Sequence, residues 1–384
     1  MRGSWPLILA LWGAGLGAAM QYAKISVIYD LLGQIYPDSG AALGWLVSMV
    51  GGIGILLGVV AAMLVARVRY RRALLGALWL GALVSAAQAL LPALPVMLGL
   101  RLVEGLSHLA IVVAAPTLIA QIATDRQRGL ALTLWGTFFG VAFAVMAWGG
   151  RPLALAAGVP ALFVLHGAYM AGFALYLAPR LRTLPQEGSL TPFSLATVLA
   201  THKTIYTSAR IAAPAVGWLF YTFCFVSILT VLPPYLDPSV AAAVMGTMPL
   251  VSIAVSMTLG VVLLRRLPAV TVVMLGFGAS ALCMIWLWLV PAGAMACLAL
   301  AAAMGLIQGA SFAAVPQLNA GPQAQTQANG AMAQTGNLGN TLGTPVMAVA
   351  LAGWGYVSLP VLAGAAFTLA LMLHLLLASL RRNT

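Results

Sequence analysis

RLVEGLSHLAIVVAAPTLIAQI, residues 101–122, is the stretch from which the fold of this chain follows. It is long and apolar enough to cross a bilayer as a helix, yet it contains Arg101, Glu104 and His108. Their spacing of three and four residues places the three side chains on one helical face. Ionisable groups at membrane depth usually face a bundle interior or a water-filled cavity. The stretch therefore predicts a spanning helix with one polar face.

The composition of the whole chain indicates an all-α integral membrane protein. Of its 384 residues, 62% are hydrophobic and 6% are charged, whereas a soluble domain carries about 25% charged residues. No segment alternates as a lipid-facing barrel strand does, so the spans must be helices. The net charge of +12 comes from basic residues in short loops between apolar runs. That distribution is typical of membrane topology rather than of nucleic-acid binding.

Twelve apolar runs have the length of a span. They lie near residues 5–29, 42–66, 73–91, 95–121, 129–148, 155–178, 211–232, 240–264, 269–290, 293–318, 329–351 and 357–380. When successive loops are assigned alternately to the two sides of the membrane, the clusters of arginine and lysine all fall on the same side. The positive-inside rule then predicts a multi-pass protein of the cytoplasmic (inner) membrane with both termini in the cytoplasm.

The twelve spans divide into two similar halves. Residues 179–210 form the longest polar stretch, so we expect bundles of six helices at 1–178 and 211–384 joined by a cytoplasmic linker. Short matches relate the halves at nearly one offset: residues 58–60 and 260–262 both read GVV, EGLS at 104–107 resembles QGAS at 308–311, and Ala131 and Gly136 recur as Ala331 and Gly336. Parallel repeats of six helices are typical of transporters with a midplane substrate site.

With these features the chain resembles the major facilitator superfamily along its whole length. Arg101, Gly105 and Ala110 match that family's fourth-helix signature, in which glycine follows the arginine at +4 and alanine follows at +9. The basic loop at residues 66–72 occupies the place of a family loop that normally contains an aspartate, and here it has none. The resemblance implies two pseudo-symmetric six-helix bundles. Within the superfamily, residues 101–121 and the Leu134–Thr137 segment look most like the cyanate and nitroimidazole permease-like group.

The first half offers a charged candidate site. Lys24 and Arg101 fall at a similar height above the midplane, and the resemblance implies that the first and fourth helices line the cavity. Two cations against the one acid Glu104 leave a positive surplus that suits an anionic substrate. Two simpler interpretations stay open: Arg101 and Glu104 only satisfy each other, or Lys24 extends to the outer interface and contacts nothing.

Proton coupling has two candidates on the fourth span. Glu104 and His108 can each change charge in a cavity whose solvation alters during gating. The alternative for His108 is a satisfied hydrogen bond between helices. His166 and His374 lie on spans that are peripheral in the resembled fold, and we interpret both as structural.

The second half offers polar groups without charge. Gln334, Asn337, Thr341 and Thr344 share one face of the eleventh helix. With Gln308 on the tenth span they are candidates to hydrogen-bond a substrate, and polar contacts between helices are the alternative. The candidate aromatic walls of the site are Tyr22, Trp135, Phe139, Tyr221 and Phe312.

These features predict a secondary active transporter that moves a small organic anion or polar metabolite by alternating access, coupled to protons. The alternatives are proton-driven efflux of drugs or toxic metabolites and, from another class, a non-transporting membrane sensor or receptor. We expect no enzymatic activity, no catalytic residue, no cofactor and no metal site, because the three cysteines lie inside apolar runs and the loops lack a catalytic cluster. The expected partners are the substrate, protons and the lipid bilayer, without nucleic acid, around a monomer.

Overall fold

The computed structural model describes residues 4–58, 60–182 and 195–382. Every regular element among these residues is helical. The α-helices of the first half are α1 (Trp5–Ser26), α2 (Tyr29–Ile35), α3 (Leu43–Ser48), α4 (Gly52–Leu57), α5 (Ala61–Val68), α6 (Tyr70–Gln88), α7 (Leu94–Ile122), α8 (Asp125–Gly136), α9 (Phe138–Val145), α10 (Arg151–Ala157) and α11 (Val159–Arg180).

Eight further helices follow in the second half. They are α12 (Leu195–Thr207), α13 (Ala212–Val231), α14 (Pro238–Val255), α15 (Val261–Leu264), α16 (Ala269–Leu289), α17 (Ala294–Leu318), α18 (Pro322–Trp354) and α19 (Ser358–Arg382). Single π-helical turns at Met146–Gly150 and Ser256–Gly260 join α9 to α10 and α14 to α15.

Each of the twelve predicted spans coincides with helical structure. Ten helical segments among the described residues are long and apolar enough to cross a membrane. The other two spans coincide with α6, which begins beside Arg71 and Arg72, and with α18, which contains many amide side chains. The prediction of an all-α membrane fold is confirmed.

Contacts between Cα atoms divide the chain into two compact units. The first consists of Met1–Gly40, Met49–Gly54 and Val60–Pro192, and the second of Ala41–Ser48, Ile55–Val59 and Phe193–Thr384. Part of the predicted linker 179–210, at residues 183–194, lies outside the described residues, and its described part contains the helix α12. The predicted domain boundaries stay a prediction.

Helix α1 runs through the core of the first unit. Nearly every residue from Leu7 to Ser26 is buried, and the helix contacts α7, α9 and α11. Because α1 is enclosed by protein, polar residues on it must find partners on neighbouring helices. This position is what brings Lys24 to the charged face of α7.

A close contact between helices recurs in both units. In the first, Gly105 of α7 lies so near the carbonyl oxygen of Val50 that a Cβ atom would collide with it. In the second, Gly305 of α17 approaches the carbonyl oxygen of Ser252 in the same way. Small residues permit this close approach of backbones in membrane helices. The two contacts are of the same kind, although the match of EGLS with QGAS pairs Gly105 with Gly309 rather than with Gly305.

Candidate substrate and coupling site

Lys24 of α1 is the centre of a buried polar cluster in the first unit. Its Nζ donates to Glu104 Oε1 at 2.7 Å, to Gln88 Oε1 at 2.7 Å and to Ser85 Oγ at 2.5 Å. His166 Nδ1 lies 3.3 Å from the same nitrogen. The lysine is fully buried, and the three donated bonds use all three ammonium protons. Lys24 therefore does not extend to the membrane interface.

Glu104 of α7 accepts hydrogen bonds from three side chains. Besides Lys24, these are Gln88 Nε2, which donates to Oε2 at 2.9 Å, and the guanidinium of Arg101, which also donates to Oε2. Glu104 and Arg101 are fully buried. A carboxylate with only donors around it is stabilised in its ionised form. The pairing of Arg101 with Glu104 is present, as the simpler interpretation expected, but a second cation shares the same carboxylate.

His166 of α11 completes the cluster, and its contacts indicate its tautomer. Its Nε2 lies 2.9 Å from the carbonyl oxygen of Gly17, which can only accept a hydrogen bond. Nε2 therefore carries the proton. Nδ1 then accepts from Ser85 Oγ at 2.6 Å, and a proton on Nδ1 would point toward the Lys24 ammonium. The geometry fits a neutral imidazole.

The charges of this cluster sum to a surplus of one positive charge. Lys24 and Arg101 contribute two positive charges, Glu104 contributes one negative charge, and His166 is neutral. Isolated charges inside a membrane protein are costly, so buried ions are normally paired. The ion pairs of this cluster therefore contain one more positive than negative charge.

Three hydrogen bonds hold the polar face of α7 around Ser107 and His108. Gln21 Nε2 donates to Ser107 Oγ at 2.9 Å, and Ser107 donates to the carbonyl oxygen of Ala77 at 2.7 Å. His108 Nδ1 lies 3.0 Å from the carbonyl oxygen of Ala18, so Nδ1 is the donor. The hydrogen bond expected for a structural His108 exists, and it fixes the ring beside α1.

The predicted aromatic residues of the first unit lie together. The Tyr22 ring contacts His108 edge-on with centroids 5.1 Å apart, and it lies 5.8 Å from Phe139. Trp135 stacks on Phe138 at 4.5 Å. Gly15 of α1 lets Trp135 approach, because a Cβ there would come 2.5 Å from the indole.

The predicted residues of the second unit form two groups. Tyr221 stacks on Trp218 at 4.7 Å, and Trp218 contacts Phe312 at 4.8 Å. Gln308 Oε1 lies 3.4 Å from Ser252 Oγ.

Gln334 and Asn337 are engaged in contacts between and within helices. Gln334 accepts from the Tyr206 hydroxyl at 2.7 Å and donates to the carbonyl oxygen of Ile55 at 2.9 Å, and His202 lies 3.1 Å away. Asn337 donates to Ala333 of its own helix at 2.8 Å. These contacts are of the kind expected from the alternative role in helix packing.

A separate ion pair lies just beyond the C-terminal end of α1, the end that also contains Lys24. Arg151 donates to both carboxylate oxygens of Asp30, at 2.6 Å and 2.8 Å, and also to the carbonyl oxygen of Val27. Partial burial by itself would raise the pKa of Asp30, but the hydrogen bonds and positive charge of Arg151 outweigh that effect and lower it. This pair is about one-third exposed and belongs to the fold rather than to the buried cluster.

Sequence reasoning found Lys24, Arg101 and Glu104 but missed Ser85, Gln88 and His166. One signal was available in the sequence: Ser85 and Gln88 stand three residues apart in an otherwise apolar span, which places both on one helical face. Among the described residues, no group of three or more His, Cys, Asp or Glu side chains is placed to hold a metal ion.

The sequence and the fold were compared with those of known proteins. The sequence profile of the Major Facilitator Superfamily matches residues 8–344. No curated protein sequence matches the chain significantly. Among solved structures, the fold is similar to a bacterial homolog of the human lysosomal transporter Spinster. Its inward-facing unoccupied form has a TM-score of 0.73 at 14% identity and covers 97% of this chain and 98% of that one.

The inward-facing occupied form of the same kind of protein has a TM-score of 0.76, again at 14% identity, with 98% of both chains covered. At this identity the likeness concerns the fold alone. The resemblance to the superfamily is thereby confirmed, whereas the likeness to the cyanate and nitroimidazole permease-like group stays a prediction. A profile that matches nearly nine-tenths of the sequence shows that the chain belongs to the Major Facilitator Superfamily of membrane transporters.

Proposed function

We propose that this transporter moves a small organic anion or polar metabolite across the cytoplasmic membrane by alternating access, and that it couples the movement to protons. The observation that carries the proposal is the buried cluster of Lys24, Arg101 and Glu104, in which two cations share one carboxylate. Charge-assisted hydrogen bonds from lysine and arginine are the strongest that a protein offers to a carboxylate. The likeness to the permease-like group, whose members suggest small polar solutes, agrees with this substrate class.

Binding at this cluster requires an exchange of partners. All three ammonium protons of Lys24 are in use, and the two cations are closed to solvent. An anion that takes over Lys24 or Arg101 must displace Glu104 from the same donors. An ionised carboxylate left without partners in a membrane interior is very costly, so Glu104 takes up a proton instead. In this scheme the anion and the proton enter together.

His108 is the second residue to which we assign a role in proton coupling. Its ring stands one turn from Glu104 on α7 and is held by the carbonyl oxygen of Ala18 through Nδ1. We assign it as a route for the proton to Glu104. The basic loops predict the cytoplasmic membrane with both termini inside. Lipid, substrate and protons are the proposed partners of a monomer.

The test is counterflow and pH-gradient-driven uptake of carboxylates in proteoliposomes. We expect Arg101→Ala and Lys24→Ala to abolish anion counterflow. Arg151→Gln is the matched control, since it removes a cation whose ion pair lies outside the cluster, and it should leave counterflow within about twofold of the native rate. If the cluster variants transport as the control does, the anion site is wrong.

The coupling role has its own readout. Counterflow measures exchange without net proton movement, whereas uptake driven by a pH gradient requires it. Glu104→Gln should therefore lose gradient-driven uptake and keep at least part of the exchange, and His108→Ala should shift the pH dependence. Unaltered pH dependence in both variants would place the coupling elsewhere. Transport confined to lipophilic cations would instead favour drug efflux.

A further inference from the structure

One row of aromatic rings in the first unit leads to the buried charges. The row, named here the aromatic ladder, consists of Trp135, Phe138, Phe139, Tyr22 and His108. Successive ring centroids are 4.5, 5.9, 5.8 and 5.1 Å apart. These are the distances at which aromatic rings attract one another by stacked or edge-to-face contact.

The ladder follows from how α8 and α9 meet α1. Trp135, Phe138 and Phe139 stand at i, i+3 and i+4, so they share one helical face although the helix is interrupted at Thr137. That face is turned to α1, because Trp135 packs on Gly15 and Phe139 packs near Tyr22. The aromatic face is therefore partly covered by α1.

The far end of the ladder reaches the charged cluster. Tyr22 precedes Lys24 by two residues on α1, and His108 follows Glu104 by one turn on α7. Tyr22 and His108 are buried, whereas Trp135, Phe138 and Phe139 are half-buried and keep accessible ring surface. Phe138 and Phe139 thus offer accessible surface near a region of surplus positive charge, with the buried rings of Tyr22 and His108 between them.

We propose that the substrate is an aromatic carboxylate whose ring lies against the accessible rings of Phe138 and Phe139 while its carboxylate pairs with Arg101 or Lys24. This inference rests on the proposed anion transport and adds the body of the molecule to its charge. An aliphatic acid of equal charge would lose the quadrupole contacts that orient a flat ring beside aromatic side chains. A neutral aromatic molecule would lose the charge-assisted hydrogen bonds.

Equilibrium binding of radiolabelled benzoate to the full-length protein in detergent tests the inference. Cyclohexanecarboxylate, with the same charge and a saturated ring, and benzamide, with the same ring and no charge, serve as competitors. We expect both to compete at concentrations about tenfold or more above that of unlabelled benzoate. Phe139→Leu should weaken benzoate binding about threefold to tenfold and leave the affinity for cyclohexanecarboxylate unchanged.

Phe173→Leu is the matched control, because Phe173 is also half-buried in the first unit and pairs with Tyr169 at 4.7 Å, away from the ladder. It should change neither affinity. Phe138→Leu repeats the test if Phe139→Leu does not fold.

Two results would overturn the inference, and they differ. If cyclohexanecarboxylate binds as tightly as benzoate and both ladder variants bind like the control, the ring subsite is wrong while the anion site stands. If neither carboxylate binds the native protein, the aromatic substrate is wrong, and the anion transport fails with it when counterflow of other carboxylates is also absent.

Discussion

Removing the charge of Glu104 should destabilise this transporter more than removing the charge of Lys24. Glu104 lies 2.7 Å from the ammonium of Lys24, and Arg101 is its second cation. At an effective dielectric constant of 20, one unit pair at that distance attracts by about 6 kcal/mol before desolvation is subtracted. Glu104→Gln loses attraction to both cations and leaves them facing each other, whereas Lys24→Met leaves a neutral pair of Arg101 and Glu104.

Measured costs are smaller than these gross attractions because the native ions are themselves desolvated. Removing one partner of a buried ion pair typically costs about 3–5 kcal/mol, and we expect Glu104→Gln to fall in this range. Lys24→Met should cost about 1–3 kcal/mol, since it leaves Ser85 and Gln88 without a donor but creates no unpaired charge. The double variant should cost less than the sum of the two, because the two cations no longer face each other.

The assay is reversible unfolding in mixed micelles of increasing SDS fraction, followed by circular dichroism at constant pH and salt. Each variant is compared with Arg151→Gln, which breaks a partly exposed ion pair and should cost at most about 1 kcal/mol. If Glu104→Gln is as stable as Lys24→Met, or if the two costs add, then the two cations do not depend on one shared carboxylate. The cluster could then not be described as two cations that share one carboxylate.

Three further outcomes follow from single contacts. Asp30→Asn should reduce acid sensitivity. Because the folded pKa of Asp30 is lowered, its ion pair stabilises the fold above the unfolded pKa of about 3.9. This stabilisation is lost as the pH falls through the folded pKa, which unfolding measured between about pH 2 and 5 would show. Gly105→Ala should lower the thermal midpoint because its Cβ meets a carbonyl oxygen, whereas Gly99→Ala on the same helix, with open space around it, should leave the midpoint unchanged or raise it. His166→Leu should destabilise by about 1–3 kcal/mol through lost buried hydrogen bonds, whereas His374→Leu should cost less in the same unfolding assay, because neither ring nitrogen of His374 has a hydrogen-bond partner within the described residues.

The fold could be predicted because the length of each apolar run is enough to identify a membrane span. Apolar runs, basic loops and the repeat at an offset of about 200 residues define helices and their pairing without knowledge of any contact. The charged face of residues 101–122 was equally visible, because three ionisable residues in an apolar run have one common helical face. Lys24 followed from its height in the membrane, which depends only on residue counting.

The partners of these residues could not be predicted in the same way. We interpreted His166 as structural because its span is peripheral in the resembled fold, and the rotation of an apolar helix about its axis has no signature in its own sequence. Only the packing of α11 against α1 and α6 turns His166 toward Lys24 and Ser85. Gln334 shows the reverse case. Its place on a polar face suggested a substrate contact. In the structure it accepts a hydrogen bond from Tyr206, which lies on α12, within the segment predicted to be a polar linker.

The charge of the cluster connects its structure to the proposed proton coupling. Empty, it holds one surplus positive charge, from Lys24 and Arg101 against Glu104. A bound monovalent anion with Glu104 still ionised would make it neutral, and a proton on Glu104 returns it to one positive charge. Loaded with both, the cluster therefore has the same charge as when empty, and the cargo is neutral. Moving a net charge through the membrane potential involves about 2.3 kcal/mol per 100 mV, and this stoichiometry avoids it. A pH gradient should then drive uptake while the membrane potential has little effect, because one proton accompanies each monovalent anion.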